Sequence, residues 1–343
     1  MARPMSQPRF SEPLLIESTR SGHVESVHRV HVAVVDAAGA LVARAGDPQL
    51  VTFWRSASKA FQALPLVQDG AAEAYGYGPR ELALACASHS SEPVHRELAL
   101  RMLALAGNGE AQLACGPHPP LSQAVAEAAL REGVTPTAHW SNCSGKHAGM
   151  LALARHRGWP LEGYARQGHP LQERLLDEVA RWSGTPRGDI LQAVDGCTAV
   201  NFGLPLRAMA TAFARLATSQ EPAARRLCEA MVLHPELVAG TGRLCTELMA
   251  LAKGSVLAKV GAEGIYSAAV VPLGLGIALK VEDGDMRCSP PALLRVLGEL
   301  LERAGGRAAL DLGPLAHHAE PPLRTTRGEQ VGSLRARGAL AFT

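Results

Sequence analysis

Three residues apart in Arg55-Ser56-Ala57-Ser58-Lys59, Ser56 and Lys59 have the residue types of nucleophilic catalysis. On a helix that spacing puts both side chains on one face, about a turn apart. A serine hydroxyl is a weak nucleophile at neutral pH, but a lysine kept neutral by burial can take its proton during attack on a carbonyl carbon. A helix N-terminus adds unpaired backbone N–H groups and the positive end of the dipole, both suited to an oxyanion. Ser58 is worse placed, since adjacent residues point apart. The plain alternative is a helix-capping Ser56 beside a solvated Lys59, because Ser-x-x-Lys is too short to be specific.

Lysine is scarce in this chain. Of 34 Lys+Arg, only residues 59, 146, 253, 259 and 280 are lysine, so arginine carries the surface charge. Arginine cannot give up its proton near neutrality and a buried lysine can, which marks the retained lysines as candidates for work needing a neutral amine. Lys280 reads as decoration of a strand.

Four further segments are polar islands between apolar runs. In Cys86-Ala87-Ser88-His89-Ser90-Ser91-Glu92, Ser88 or His89 can orient an amide or move a proton, while Ser90 or Ser91 is expected to cap the helix that follows. Trp140-Ser141-Asn142-Cys143-Ser144-Gly145-Lys146-His147 precedes a helix and offers backbone N–H groups to an anion or amide. Cys143 and Cys197, the latter in Asp195-Gly196-Cys197, can give zinc two thiolates, with Lys146, His147 or Asp195 as a third ligand. Their spacing is no standard zinc motif, and two buried free cysteines are the competing reading. Asp195 can instead pair with a substrate α-amino group. Lys259-Val260-Gly261-Ala262-Glu263-Gly264 ends a strand in a glycine-rich turn, so Lys259 either reaches a cleft from the sheet or sits as an exposed strand-end charge.

The elements that must hold these segments follow from periodicity. Val27 to Val35 and Leu41 to Arg44 form a predicted hairpin, and strands return at Val256 to Val260, Ile265 to Val271 and Ile277 to Glu282, with Asp283-Gly284 read as a hairpin turn. Helical spacing runs from Ser56 to Gln68, Pro79 to Ala87, Glu92 to Ala106, Leu121 to Glu132, Gly145 to His156, Leu171 to Trp182, Leu206 to Ala217, Glu221 to Val232, Gly242 to Ala252 and Pro291 to Ala304. Strands at both ends with helices between them predict an α/β (α+β) fold, an antiparallel sheet of N- and C-terminal strands with helices packed on it. No repeat or linker marks a boundary, so residues 1–343 are expected to be one domain, with sheet-forming parts at about 24–50 and 255–343 and a mainly helical middle at about 56–252.

Taken together and in order, Arg55-Ser56-x-x-Lys59, Ala87-Ser88-His89, Asn142 to His147, Val194 to Cys197 and Lys259-x-Gly261-Ala262-Glu263-Gly264 resemble the Rhizobium-type L-asparaginases, also called asparaginase II. Gly276 to Lys280 looks like the same family. The resemblance implies a fold like that of serine β-lactamases, penicillin-binding proteins and serine-dependent glutaminases, a homodimer, and hydrolysis of L-asparagine to L-aspartate and ammonia. By motif match it implies Ser56 with Lys59 as one Ser-Lys pair, Ser88 with Lys259 as a second, and Cys143, Lys146 and Cys197 around a zinc ion near the substrate. Asp195 would hold the substrate's α-amino group, and Arg55 and His147, inside the matching segments, join it as substrate-binding residues.

Composition narrows the partners. A net charge of +2 without a basic run argues against nucleic acid and an anionic membrane surface, leaving a small molecule as ligand. The prolines and charges of the first two dozen residues do not form a secretory leader, no apolar stretch is long enough to span a membrane, and an odd seven cysteines suit reduced thiols, so a cytoplasmic location is expected. Three other activities stay open. One methylene separates a glutaminase from an asparaginase, a difference worth only about 1–3 kcal/mol in a pocket. A β-lactamase or penicillin-interactive hydrolase would share Ser-x-x-Lys, but Ser-Asp-Asn and Lys-Thr-Gly triplets are missing. A non-catalytic zinc-binding sensor would share the thiols.

Overall fold

The computed structural model describes residues 10–343. The part of the leader reading that rests on residues 1–9 lies outside them. Twelve strands are found among the described residues. β1 (Leu14–Arg20), β2 (His23–Asp36) and β3 (Leu41–Ala45) open the chain, followed by β4 (Val51–Phe53), β5 (Leu191–Val194) and β6 (Val200–Pro205). The rest come late: β7 (Val256–Val260), β8 (Ile265–Val270), β9 (Leu275–Val281), β10 (Pro322–Arg324), β11 (Gln330–Arg337) and β12 (Ala341–Phe342). The main sheet runs β10-β11-β1-β2-β9-β8-β7, with β3 and then β12 branching from β2. Its strand pairings are all antiparallel, and N-terminal β1 and β2 lie against C-terminal β11 and β9, as expected.

Two helices sandwich this sheet. The helices are α1 (Lys59–Gln68), α2 (Ala71–Ala74), α3 (Pro79–Ala85), α4 (Pro93–Leu105), α5 (Gln123–Arg131), α6 (Ser144–His156), α7 (Pro170–Ser183), α8 (Leu206–Thr218), α9 (Pro222–Leu233), α10 (Pro235–Val238), α11 (Leu244–Ala252), α12 (Ser289–Ala304) and α13 (Ala316–Ala319). α8 packs on β2, β8 and β9, and α12 packs on β1, β8 and β9. Their faces differ by strand parity: a Cβ on Gly276 would lie 1.9 Å from the Ala210 carbonyl of α8, so only glycine lets that helix approach β9. Neighbouring Ile277 points the other way, with its paired Val34 and with Val32, Val30 and His28 along β2. All but His28 of these are wholly buried apolar residues, which is why the central strands read as near-continuous apolar runs.

α6 lies at the heart of the helical part, buried from Ser144 to Ala154. Its glycine is again a spacing device, since a Cβ on Gly145 would meet the Leu84 carbonyl oxygen at 2.4 Å.

Several expectations are corrected. The mainly helical middle also holds a separate three-stranded sheet, β4, β6 and β5, which carries the chain into Arg55 and into Asp195. β1 begins before residue 24. Asp283-Gly284 is no hairpin turn; after β9 the chain turns through a 3-10 segment, Met286–Cys288, into α12. Neither Ser90 nor Ser91 caps α4: Glu92 holds the cap position, Ser90 donates to the Ala239 carbonyl and Ser91 to that of Trp140. Those bonds tie the serine-rich loop to its neighbours instead.

Candidate active site

Strand parity turns Lys259 of β7 toward the α8 side of the sheet, in register with Ser267 of β8 and, across β8, Ala278 of β9. The chain leaving β4 passes Trp54, whose indole N–H donates to Ser267 Oγ at 3.0 Å, and enters a 3-10 turn over Arg55–Ser58 that runs on into α1. Lys59 is thus delivered from a helix start and Lys259 from a sheet edge. Both meet Ser88, in the loop after α3. Lys59 Nζ donates to Ser88 Oγ at 2.9 Å and Lys259 Nζ approaches the same oxygen at 3.1 Å.

The two lysines are 1% and 0% exposed, so neither is a surface charge. Lys59 also donates to the Ala87 carbonyl at 2.5 Å and to Cys143 Sγ at 3.1 Å, and none of its hydrogen bonds among the described residues reaches Ser56. Lys259 donates to the Val260 carbonyl. Burial, reinforced by the charge of Lys59, brings the Lys259 amine down to about 7.

In front of Ser88 lies a cavity of about 320 Å³, the size for a small amino acid. Half-buried Ser56 shares its wall with Ser88, Asp195, Cys143 and Cys197. Arg55 donates to Asp195 Oδ1 through Nε at 3.1 Å, its Nη2 is 3.0 Å from the same oxygen, and Gly196 N–H adds a third contact there at 2.7 Å. All of these fall on Oδ1, which leaves Oδ2 to a ligand. Arg55 itself has φ of 52° and is held by Asn201 Oδ1, which accepts its backbone N–H. Of six non-glycine residues with positive φ among the described residues, Arg55, Ser91, Thr198 and Glu263 lie in the segments around this cavity. Such backbone strain gathers at functional sites.

The thiols are also brought together. Lys146 Nζ donates to Cys197 Sγ at 3.0 Å. The Cys143 thiol donating to it, helped by the Lys146 ammonium, holds Cys197 far below the ordinary thiol range, while that same contact and burial push Cys143 up. Burial works against the charge on Lys146, but the neighbouring Cys197 and Cys143 sulfurs outweigh it and raise the amine. His147 lies behind this wall, fully buried, with Nδ1 2.7 Å from the Tyr164 hydroxyl and its imidazole close enough to the Cys197 sulfur to help lower that thiol. Two buried sulfurs with an amine beside one of them are donor chemistry that fits a zinc-like cation, while the His147 nitrogen does not converge with both sulfurs.

The model of the L-asparaginase II family matches residues 16–336. The chain belongs to the L-asparaginase II family. With that membership it is an amidohydrolase. No curated protein matches the chain. Among solved structures it is similar to Mglu, at 18% identity over 84% of this chain and 70% of that one, with a TM-score of 0.37. It is also similar to a β-lactamase from Mycobacterium bovis, at 12% identity over 79% and 94% of the two chains, with a TM-score of 0.34. At these scores the two likenesses bear on neither mechanism nor substrate.

The cavity of this L-asparaginase II family member is also lined by residues that motif reading did not single out. Arg243, at the start of α11, donates to the Ser88 carbonyl at 2.8 Å and lines the cavity with His118 and Met286. Nothing in their local sequence marks them; only the fold brings them to the wall. His89, by contrast, turns away from the cavity wall: Ser91 N–H donates to its Nδ1, its Nε2 is 2.9 Å from Ser144 Oγ, and burial lowers its pKa well below the usual range. It is a neutral brace between the Ser88 loop and α6.

Proposed function

We propose that this chain hydrolyses the side-chain amide of L-asparagine to L-aspartate and ammonia, with Ser56 as nucleophile and Lys59, Ser88 and Lys259 as its proton relay. The observation that carries the reading is Ser88 Oγ held by two buried lysine amines behind the cavity that Ser56 lines. As the bound substrate draws Ser56 Oγ within reach of Lys59 and that oxygen attacks the amide carbon, its proton passes to Lys59, Lys59 gives one to Ser88 Oγ, and Ser88 gives its own to the amine of Lys259. Lys259, brought to about 7, is an acceptor at neutral pH. The tetrahedral intermediate collapses, the C–N bond breaks, and the relay returns the proton to the departing amine as ammonia. Water then attacks the aspartyl ester, loses its proton to the same relay, and aspartate leaves as Ser56 regains its hydrogen.

Asp195, oriented through Oδ1 by Arg55, offers Oδ2 to the substrate's α-ammonium group. A zinc ion held by Cys143, Cys197 and Lys146 would supply a fixed positive charge beside the cavity for the substrate's carboxylate. Lys146 and Cys143 would shed their protons on binding it, so metal loading should release protons. His147, fully buried behind the thiols and acting on Cys197, orients this metal wall more than it contacts the substrate directly.

Ser88 supports a second reading, because it is the oxygen that both lysines hold. Acid quenching during asparagine turnover, followed by peptide mass mapping, separates the two. The mechanism above places the aspartyl adduct on the peptide bearing Ser56; an adduct on Ser88 would reverse the roles of the two serines.

A further inference from the structure

Away from the cavity, on the α12 side of the sheet, His28 of β2, Asp285 in the turn after β9 and Cys288 at the N-terminus of α12 come together. A ring nitrogen, a carboxylate oxygen and a sulfur from the three lie within 4.8 Å of one another. Cys288 is wholly buried and His28 is 8% exposed. His28 reaches this place because it continues the inward row of Val30, Val32 and Val34 past the end of β9, where an apolar side chain would be the rule.

The imidazole is braced from one side only. Its Nδ1 is 2.7 Å from Asp283 Oδ2, and the other oxygen of that carboxylate accepts Asp285 N–H at 3.0 Å. A carboxylate at Nδ1 fixes the proton there and leaves a lone pair on Nε2. That Nε2 is buried and has no hydrogen-bond partner. An unsatisfied buried nitrogen costs free energy, and a carboxylate-braced histidine with its far nitrogen free is the arrangement that metal-ligating histidines adopt.

We propose that His28, Asp285 and Cys288 bind a divalent transition cation of the zinc class, through Nε2, a carboxylate oxygen and the thiolate, with water as a fourth ligand and Asp283 orienting the histidine. Nitrogen, oxygen and sulfur donors at three corners suit a tetrahedral zinc-type ion over calcium or magnesium, which take oxygen ligands. On binding, the Cys288 S–H bond breaks, a metal–sulfur bond forms and the proton leaves to solvent. Asp285 exchanges its contact with the guanidinium of Arg287, a side chain 60% exposed and free to turn outward. The cation would fasten β2 to the 283–288 turn, whose Met286 lines the amidase cavity and accepts the Gly264 N–H through its sulfur at 3.1 Å.

Cobalt(II) titration of the metal-stripped full-length chain tests this, in a Cys143→Ser/Cys197→Ser background that removes the other pair of thiols. One cobalt per chain is expected, with a thiolate-to-cobalt charge-transfer band that disappears on adding Cys288→Ser. Asp283→Asn should keep the band and weaken cobalt binding roughly 10–100-fold, as loss of an outer-shell partner does. Cys288→Ser is nearly isosteric, so circular dichroism matching the parent shows that a lost band is a lost ligand. No band in the double-serine background, or one of equal intensity after Cys288→Ser, would overturn the site.

Discussion

Lys259 is the residue whose chemistry depends most on where the fold puts it. A lysine at a strand end is ordinarily a solvated cation, but here it is sealed beside Lys59 and its amine comes down to about 7. As acceptor it works in the neutral form, so asparagine turnover should rise with pH through about 7. Lys259→Met should remove that limb and cost roughly 10²–10⁴-fold in kcat, the usual worth of a positioned acid–base group. A pH–rate profile of the two proteins checks this. Stability follows with its own sign. The unfolded lysine titrates near about 10, so between about 7 and 10 the unfolded chain binds the extra proton and stability rises with pH across that window, whereas below 7 the penalty of a buried charge is present in full. Denaturant midpoints of Lys259→Met should be flatter over the same range.

At the scale of elements, two glycines set how closely the layers approach. Gly145 lets α6 lie against the Leu84 carbonyl, and Gly276 lets α8 lie against β9. Alanine at either would force backbone apart and should cost at least about 1–3 kcal/mol, read as a lowered thermal midpoint. Gly145→Ala should also impair activity, since Lys146 is the next residue. The elements were legible where patterns are local: the hairpin of β2 and β3, strands β7 to β9, and helices α1, α3 to α9, α11 and α12, while the four-residue α2, α10 and α13 and strands β10 to β12 carried no such pattern. β1 was missed because its apolar alternation is short and follows Pro13, and the β4-β6-β5 sheet because its strands are three to six residues long and β4 pairs with β6 some 150 positions away. The site was legible in the same measure. Scarcity marked Lys59, Lys146 and Lys259, and all three are buried here. That Lys59 binds Ser88, and that Arg243 and Met286 reach the cavity, are consequences of folding that no spacing encodes.

At the scale of the whole molecule, the small sheet leaves one apolar face open. Val51, Phe53 and Leu191 share that face by strand parity, with Phe53 and Leu191 paired over Gly203, and they are 50%, 36% and 52% exposed. The same sheet leads into Arg55 and Asp195, so whatever covers it bears on the cavity. The homodimer is an expectation from the family resemblance, and an exposed apolar face of this kind is the surface such an interface would bury. Light scattering on a sizing column should give a dimer for the wild type and a monomer for Phe53→Glu; an unchanged dimer in the variant would move the interface elsewhere. Among the described residues no helix is long and apolar enough to cross a membrane.

All of these scales meet in one reaction. Ammonia release from L-asparagine and from L-glutamine, measured side by side for the wild type and Ser56→Ala, tests it most directly. Asparagine turnover by the wild type, poor release from glutamine, and loss of turnover in Ser56→Ala with asparagine binding retained are the expected results. Inactivity of the zinc-loaded wild type on both amides, or a Ser56→Ala variant that still turns asparagine over, would contradict the proposed function.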